Sequence, residues 1–257
     1  MATFIPSQTS ADAWLKAMDH LLTCSGGKDF NLIISIQEPC LEVPEATAII
    51  DQLAGSLEMK SSMENANAIW PAFFARPGRS SEAVFADIDR FVIGTIRRAC
   101  KNRHDSYVER LVRWRSFEEG KPVPQLQNVL ERLKSEVGNK APKSSAYEIS
   151  VFSPRLDSGY MSFPCLSHLS VKYDHRVGRV HLTALYRNHT FLSHAYGNYL
   201  GLGRLLKFIC TETKTIPGEL VSVSTHADAE ISHAKARITA SVEKLRMLLG
   251  NQEAIAS

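Results

Sequence analysis

Tyr160-Met-Ser-Phe-Pro-Cys165-Leu-Ser-His168, running on through Leu-Ser-Val-Lys-Tyr-Asp174 and, after a short turn containing Gly178, through Arg179-Val-His-Leu-Thr-Ala-Leu-Tyr-Arg187, is the stretch that decides the architecture. Apolar and polar residues alternate from His168 to Asp174 and again from Arg179 to Arg187, the period-two pattern of strands buried on one face. Two such runs joined by a turn predict a β-hairpin. If Asp174 pairs near Val180, the antiparallel ladder sets position 167 opposite Arg187 and returns Cys165 to the same end of the hairpin. A thiolate at neutral pH needs nearby positive charge, which Arg187 can supply. Asn198 follows soon after, so that a nucleophile, a cation and an amide can share one pocket.

Working outward, Ala11 to Leu22 places Trp14, Leu15, Met18, Leu21 and Leu22 at helical spacing behind Ser10 as a cap. Gly26-Gly27 breaks that helix, and the short β-branched run Phe30 to Ile36 reads as a buried strand that Pro39 ends. Helices are expected over Glu45 to Leu57, Ser80 to Lys101 and Gln125 to Val137, the last closed by Gly138. Tyr147 to Phe152 is a strand stopped by Pro154. After the hairpin come a helix from about Asn198 to Glu212, a strand over Leu220 to His226, and a last helix over Asp228 to Leu249. Strands separated by helices, with a hairpin among them, predict an α/β (α+β) fold with a mixed sheet and packed helices.

The 257 residues, 44% of them hydrophobic, suffice for a sizeable core, and with no Pro/Gly/Ser-rich linker the expectation is a single domain over 1–257. A net charge of +3 with both signs interspersed gives no basic stripe, so polymeric nucleic acid is not an expected partner. Neither a basic-then-apolar leader nor a membrane-length apolar run is visible, and a cytoplasmic, soluble protein is expected. Five widely spaced cysteines without a Cys-x-x-Cys pair suggest reduced thiols and no structural zinc or other metal site.

The motifs around the hairpin resemble those of the thymidylate synthase superfamily. Pro164-Cys165-Leu166 is similar to the family's Pro-Cys-His, Tyr186-Arg187-Asn188-His189-Thr190 to its Tyr-Arg-Ser-His-Asp, and Asn198 to its base-reading Asn. The spacing from His189 to Asn198 is that of the shorter, diverged branch that includes nucleotide hydroxymethylases. Tyr107-Val-Glu-Arg-Leu-Val-Arg-Trp114 resembles Tyr-Gly-x-x-Trp-Arg-x-Trp, Gln125-Leu126 opens a helix like the family's Asp-Gln-Leu, and Pro217-Gly218-Glu219 precedes a strand as it does there. The likeness covers roughly residues 104 to 233.

The resemblance implies a thymidylate synthase fold with a large mixed sheet through which two subunits pack as a homodimer. It also implies one-carbon transfer to C5 of a pyrimidine nucleoside monophosphate with 5,10-methylenetetrahydrofolate. C5 becomes nucleophilic only after something adds at C6, and a thiolate does this by covalent catalysis. On that reading Cys165 is the nucleophile, Tyr107 joins the proton-transfer network, Arg187 binds phosphate, Asn188 stands where a Ser contacts phosphate, and Asn198 reads the base. An amide there favours a uridylate. Asp228 and Glu230 occupy the positions of the family's sugar-binding His and Tyr. The sequence departs from the pattern at Leu166, in place of His, and at Thr190, in place of the pterin-contacting Asp. Two alternatives stay open: a nucleotide-binding protein without turnover, and a metal site built from His226, Asp228, Glu230 and His233.

Overall fold

Seven described strands, β1 (Thr3–Ser7), β2 (Lys28–Ile36), β3 (Glu148–Ser150), β4 (Leu166–Asp174), β5 (Arg179–Tyr186), β6 (His189–Thr190) and β7 (Ile216–Asp228), form one mixed sheet. Eight described α-helices accompany it: α1 (Ser10–Thr23), α2 (Pro44–Ser56), α3 (Ser62–Ile69), α4 (Ser81–Asp87), α5 (Tyr107–Val112), α6 (Gln125–Glu136), α7 (Tyr196–Thr213) and α8 (Lys235–Ala256). The computed structural model of the chain describes residues 1–94, 106–114, 122–139, 143, 145–159 and 164–256, with the side chains of 233 and 252–256 excepted. No described helix is long and apolar enough to cross a membrane.

Strand order is β1-β2-β7-β5-β4-β3. β1 runs parallel to β2 and β7 parallel to β5, while the β2–β7, β5–β4 and β4–β3 pairs are antiparallel. The alternation read from the sequence decides which face is covered. Leu32, Ile34 and Ile36 of β2, Leu220 of β7, Val180, Leu182 and Ala184 of β5, and Leu169 and Val171 of β4 are all buried. Burial of each such side chain contributes about 1.5–3 kcal/mol. On the other face Phe4, Ile33, Val223 and Leu185 stand side by side across four strands, since Phe4 pairs with Ile33, Ile33 with Val223 and Val223 with Leu185. Phe4 is 61% and Leu185 37% exposed, so this row is an apolar stripe on an open face.

α7 runs through the centre of the molecule and is buried on nearly every side. Its glycines permit this. A Cβ on Gly201 would lie 2.7 Å from the Ala66 carbonyl oxygen, and one on Gly203 would lie 1.9 Å from that of Pro39, so α3 and the chain after β2 press directly onto the helix backbone. Trp14 of α1 is fully buried and donates from Nε1 to the Phe191 carbonyl at 2.8 Å, tying α1 to the π-helical turn Phe191–Ala195 that leads into α7.

Several expectations are corrected. The helix α1 is capped by Thr9, whose side chain accepts from the Asp12 N–H, while Ser10 lies inside the helix. β1 and α3 go beyond the expected elements; β1 is a short edge strand containing Pro6, with little alternation to read. The last helix begins at Lys235 instead of Asp228, because β7 stays paired with both β2 and β6 as far as Asp228. The helix expected over Ser80 to Lys101 is α-helical through Asp87 and π-helical over Ile88–Ile93, and its remainder from 95 lies outside the described residues.

Candidate active site

The hairpin β4–β5 forms with Asp174 opposite Arg179 and Tyr173 opposite Val180, one residue out of the expected register. A bulge between Leu166 and His168 then shifts the ladder, so that Leu166 faces Tyr186 and the Arg187 N–H donates to the Cys165 carbonyl at 2.9 Å. Cys165 therefore lies directly across from Arg187. The Arg187 side chain folds back over the same corner, its Nε donating to the Pro164 carbonyl at 3.0 Å.

Tyr107 reaches this corner from α5. Its hydroxyl oxygen accepts from the backbone N–H of Cys165 at 3.3 Å and of Leu166 at 3.5 Å. Burial, followed by the neighbouring Cys165, pushes the Tyr107 phenol above its ordinary value, while Arg187 acts in the opposite direction. The phenol consequently remains protonated near neutrality. Cys165 is half-buried and carries a free thiol, as do Cys24, Cys40 and Cys210.

What holds α5 in place is a buried ion pair. Arg110 donates from Nη1 and Nη2 to the two carboxylate oxygens of Asp157 at 2.5 and 2.8 Å, and from Nη1 to the Val151 carbonyl at 2.6 Å. Gln125 Nε2 donates to the Arg110 carbonyl at 2.9 Å and to that of Ser150 at 2.8 Å, joining α5, α6 and β3. Spacing within α5 gives no sign of the Asp157 partner, which comes from a loop far along the chain.

Arg187 and Asn188 interrupt an otherwise continuous line: Tyr186 pairs with Ser224 in β7 and His189 with Ala227, the same offset on either side of the break. In the break, Asn188 Oδ1 accepts from His226 Nδ1 at 2.5 Å, and the Thr225 hydroxyl donates to the Tyr186 and Arg187 carbonyls at 3.2 and 2.9 Å. Both residues are thus fixed by β7.

Asn198, buried near the start of α7, lies with Nδ2 3.1 Å from Nε2 of His189. An amide nitrogen only donates, so Nε2 accepts, and Nδ1 of His189 carries the proton it shares with Ser224 Oγ at 2.9 Å. This leaves Asn198 Oδ1, on the other arm of the amide, as an acceptor for a different partner. His189 is fully buried, stacked face to face on Tyr186 at 3.9 Å and 4°. Burial above all, with a smaller contribution from His194, pushes its pKa down to about 3. From its sequence His189 reads as a surface or hairpin residue; its alternation with Arg187 is the one available signal, and it does not reveal Asn198 as a partner.

A depressed folded-state pKa makes stability depend on pH in a definite direction. The unfolded histidine, with a pKa near 6.5, binds a proton that the folded one refuses until about pH 3. This contribution is complete above about pH 6.5 and is lost on acidification through the window down to about 3, by at most about 1.4 kcal/mol per pH unit. Replacing His189 with Gln, which does not titrate, is expected to flatten that part of the profile of melting temperature against pH; an unchanged slope would show that other groups set it.

Asp228 and Glu230 are engaged with protein partners, Asp228 across from Thr190 at the end of β7. Asp228 Oδ2 pairs with Lys28 Nζ at 3.0 Å and its Oδ1 accepts from the Glu230 N–H at 2.8 Å. Glu230 accepts from the Ser193 N–H and hydroxyl at 2.9 and 2.7 Å. Both line a cavity of about 720 Å³ with Lys28, Leu57, Met59 and Leu192, and its lining includes none of Cys165, Tyr107 and Arg187. Among the described residues the alternative metal grouping is not assembled: His226 bonds Asn188, Asp228 pairs with Lys28, and Glu230 holds Ser193. The side chain of His233 lies outside the described residues.

No protein-family model matches the chain. Over 122 residues, 48% of its length, it is 30% identical to proteins named "Putative thymidylate synthase" from Methanosarcina acetivorans, Methanosarcina barkeri and Methanococcoides burtonii, in each case over 51% of that protein. The chain thus spans about half the length of the curated relatives it matches, and the likeness supports a thymidylate synthase-like relationship.

Proposed function

We propose that the protein is a pyrimidine-nucleotide C5 transferase that activates a uridylate by adding the Cys165 thiolate to C6. The observation that carries this reading is the meeting of Cys165, Arg187 and Tyr107, from three separate segments, at one end of the hairpin. The names of the archaeal relatives agree with it.

In this mechanism the thiolate forms a C6–S bond, and the C5–C6 π electrons move toward O4 to give an enolate that is nucleophilic at C5. After C5 acquires its substituent, the C5 proton leaves and the thiolate is expelled. Arg187 meets the phosphate with its planar fork. Asn198, its amide orientation held by His189, accepts from the N3–H of uracil through Oδ1. Cytosine presents an acceptor at N3, so this orientation favours the uridylate. Tyr107, protonated, holds the backbone of Cys165 and Leu166 in place and can donate a hydrogen bond beside Cys165.

For 5,10-methylenetetrahydrofolate the fit fails at one point. Thr190 takes the place of the pterin-contacting Asp and its hydroxyl is engaged by His194 Nδ1 at 2.9 Å, while the carboxylate of Asp228, its partner across β6 and β7, is paired with Lys28. The residues at the corner accordingly account for the chemistry as far as the C6 adduct. The second reading, a nucleotide-binding protein without turnover, is favoured by the engagement of Asp228 and Glu230 with Lys28 and Ser193.

The apolar row Phe4, Ile33, Val223 and Leu185 supports a homodimer formed through the open sheet face, which a second copy would cover. Release of tritium from 5-tritiated dUMP, UMP, dCMP and CMP, with and without methylenetetrahydrofolate, tests the activity, and sedimentation equilibrium of the same preparation tests the dimer. Release from a uridylate is the expected result, and its folate dependence names the carbon donor. No release from any of the four would sink the proposal in favour of binding alone.

A further inference from the structure

At the end of α1, far from Cys165 in the sheet order, the segment His20-Leu-Leu-Thr-Cys24-Ser-Gly-Gly-Lys-Asp29 brings three metal-ligand side chains together. His20 lies in the last turn of α1, and Cys24, four residues on, is the residue that caps the helix, its thiol turned back to the His20 ring. Gly26 and Gly27, both with positive φ (65° and 69°), turn the chain back so that Asp29 enters β2 beside them. His20 Nε2 is 2.6 Å from Asp29 Oδ2 and 3.5 Å from Cys24 Sγ, and the three atoms lie within 4.8 Å of one another.

One ring nitrogen facing both the thiol and the carboxylate rules out a proton relay, in which the two imidazole nitrogens would each serve a different partner. It is an arrangement that ligands sharing one ion can adopt. Bonds of about 2.0 Å to nitrogen and oxygen and about 2.3 Å to sulfur, at tetrahedral angles, require separations of about 3.6 Å for N···S and about 3.3 Å for N···O. The His20–Cys24 separation already matches, and the His20–Asp29 pair has to open by under about 1 Å. Asp29 is oriented by its neighbours: Oδ1 accepts from the Phe30 N–H at 2.7 Å and Oδ2 from the Thr3 hydroxyl at 3.0 Å. The side chains of His20 and Asp29 remain 29% and 22% exposed, which gives an ion a way in and water access to the fourth position.

We propose that His20, Cys24 and Asp29 form a binding site for a thiophilic divalent ion, zinc, that joins the end of α1 to β1 and β2. Thiolate and imidazole select zinc over magnesium or calcium. The Cys24 thiol proton passes to solvent as the sulfur takes the ion. The sequence-level expectation of no metal rested on the missing Cys-x-x-Cys pair, and this site uses one cysteine only.

The test uses the full-length chain stripped with chelator, titrated with zinc by calorimetry and, separately, with cobalt(II). One equivalent bound, with a thiolate-to-cobalt charge-transfer band, is expected. Both signals should survive in Cys165→Ser. Cys24→Ser should lose the band, and Cys24→Ser and His20→Gln should each weaken binding by at least the roughly tenfold that loss of an outer-shell partner costs. Failure of the chain to bind an equivalent of zinc, or a cobalt band unchanged in Cys24→Ser, overturns the proposal.

Discussion

Replacing Cys165 with serine is expected to reduce tritium release from the preferred 5-tritiated nucleotide by roughly three orders of magnitude or more, the scale on which loss of a covalent nucleophile acts. A serine hydroxyl remains protonated at neutral pH, and Tyr107, the phenol beside it, is not a base for its proton. Tyr107 accepts backbone N–H bonds there and holds its own proton. Because the exchange preserves shape at a half-buried position beside a strand, the melting temperature should change little. Where the native chain releases tritium, release by Cys165→Ser at near the same rate would remove Cys165 from the mechanism. A 5-fluoropyrimidine nucleotide gives an independent readout, since a stable adduct should form with the native chain and not with the variant.

The second large effect concerns stability. Asp157→Ala is expected to cost about 3–5 kcal/mol, because it strands the buried Arg110 guanidinium without its counter-charge. The side chains of Arg110 and Asp157 are only 2% and 0% exposed, so water does not take the place of the carboxylate. Asp157 also accepts from the Ser153 N–H at 2.8 Å, and the alanine variant loses this bond too. Against a typical total of about 5–15 kcal/mol, the loss is a large fraction of the whole.

The comparison that isolates the mechanism is the double variant Arg110→Met with Asp157→Leu. Exchanging a buried ion pair for apolar side chains of similar volume is often neutral or stabilising. The double variant should therefore recover most of the stability lost in Asp157→Ala, as judged by the denaturant midpoint. If both fall equally, packing and not the unpaired charge sets the cost. Since Tyr107 is one turn before Arg110 on α5, loosening this clamp should also displace the phenol from Cys165.

Local pattern was enough for much of the architecture. Period-two alternation on either side of Gly178 predicted β4 and β5, helical spacing predicted α1, α2, α6 and α7, and the mixed sheet with packed helices followed. These features are legible because burial of one face acts on neighbouring residues, where spacing along the chain is also spacing in space. The motif around Cys165 and Arg187 was visible for the same reason: a hairpin returns residues close in sequence to one end.

The rest depended on contacts between distant segments. The bulge beside Ser167, where β4 changes register on β5 just past the end of its pairing with β3, sets Cys165 opposite Arg187, and nothing within the strand announces it. Likewise the extension of β7 to Asp228 is set by its two partner strands, and the placement of Asp228 against Lys28 by that same pairing. Arg110 looks from its sequence position like a solvated helix charge until Asp157, 47 residues on, encloses it. His189 looks like a strand-end polar residue until α7 brings Asn198 to its ring. By itself the sequence determined which residues are apolar at what period, and so the strands, the helices and the buried sheet face. Only the tertiary structure decided which polar groups are desolvated together, because a charge or an amide is buried with its partner only when the chain closes the loop between them.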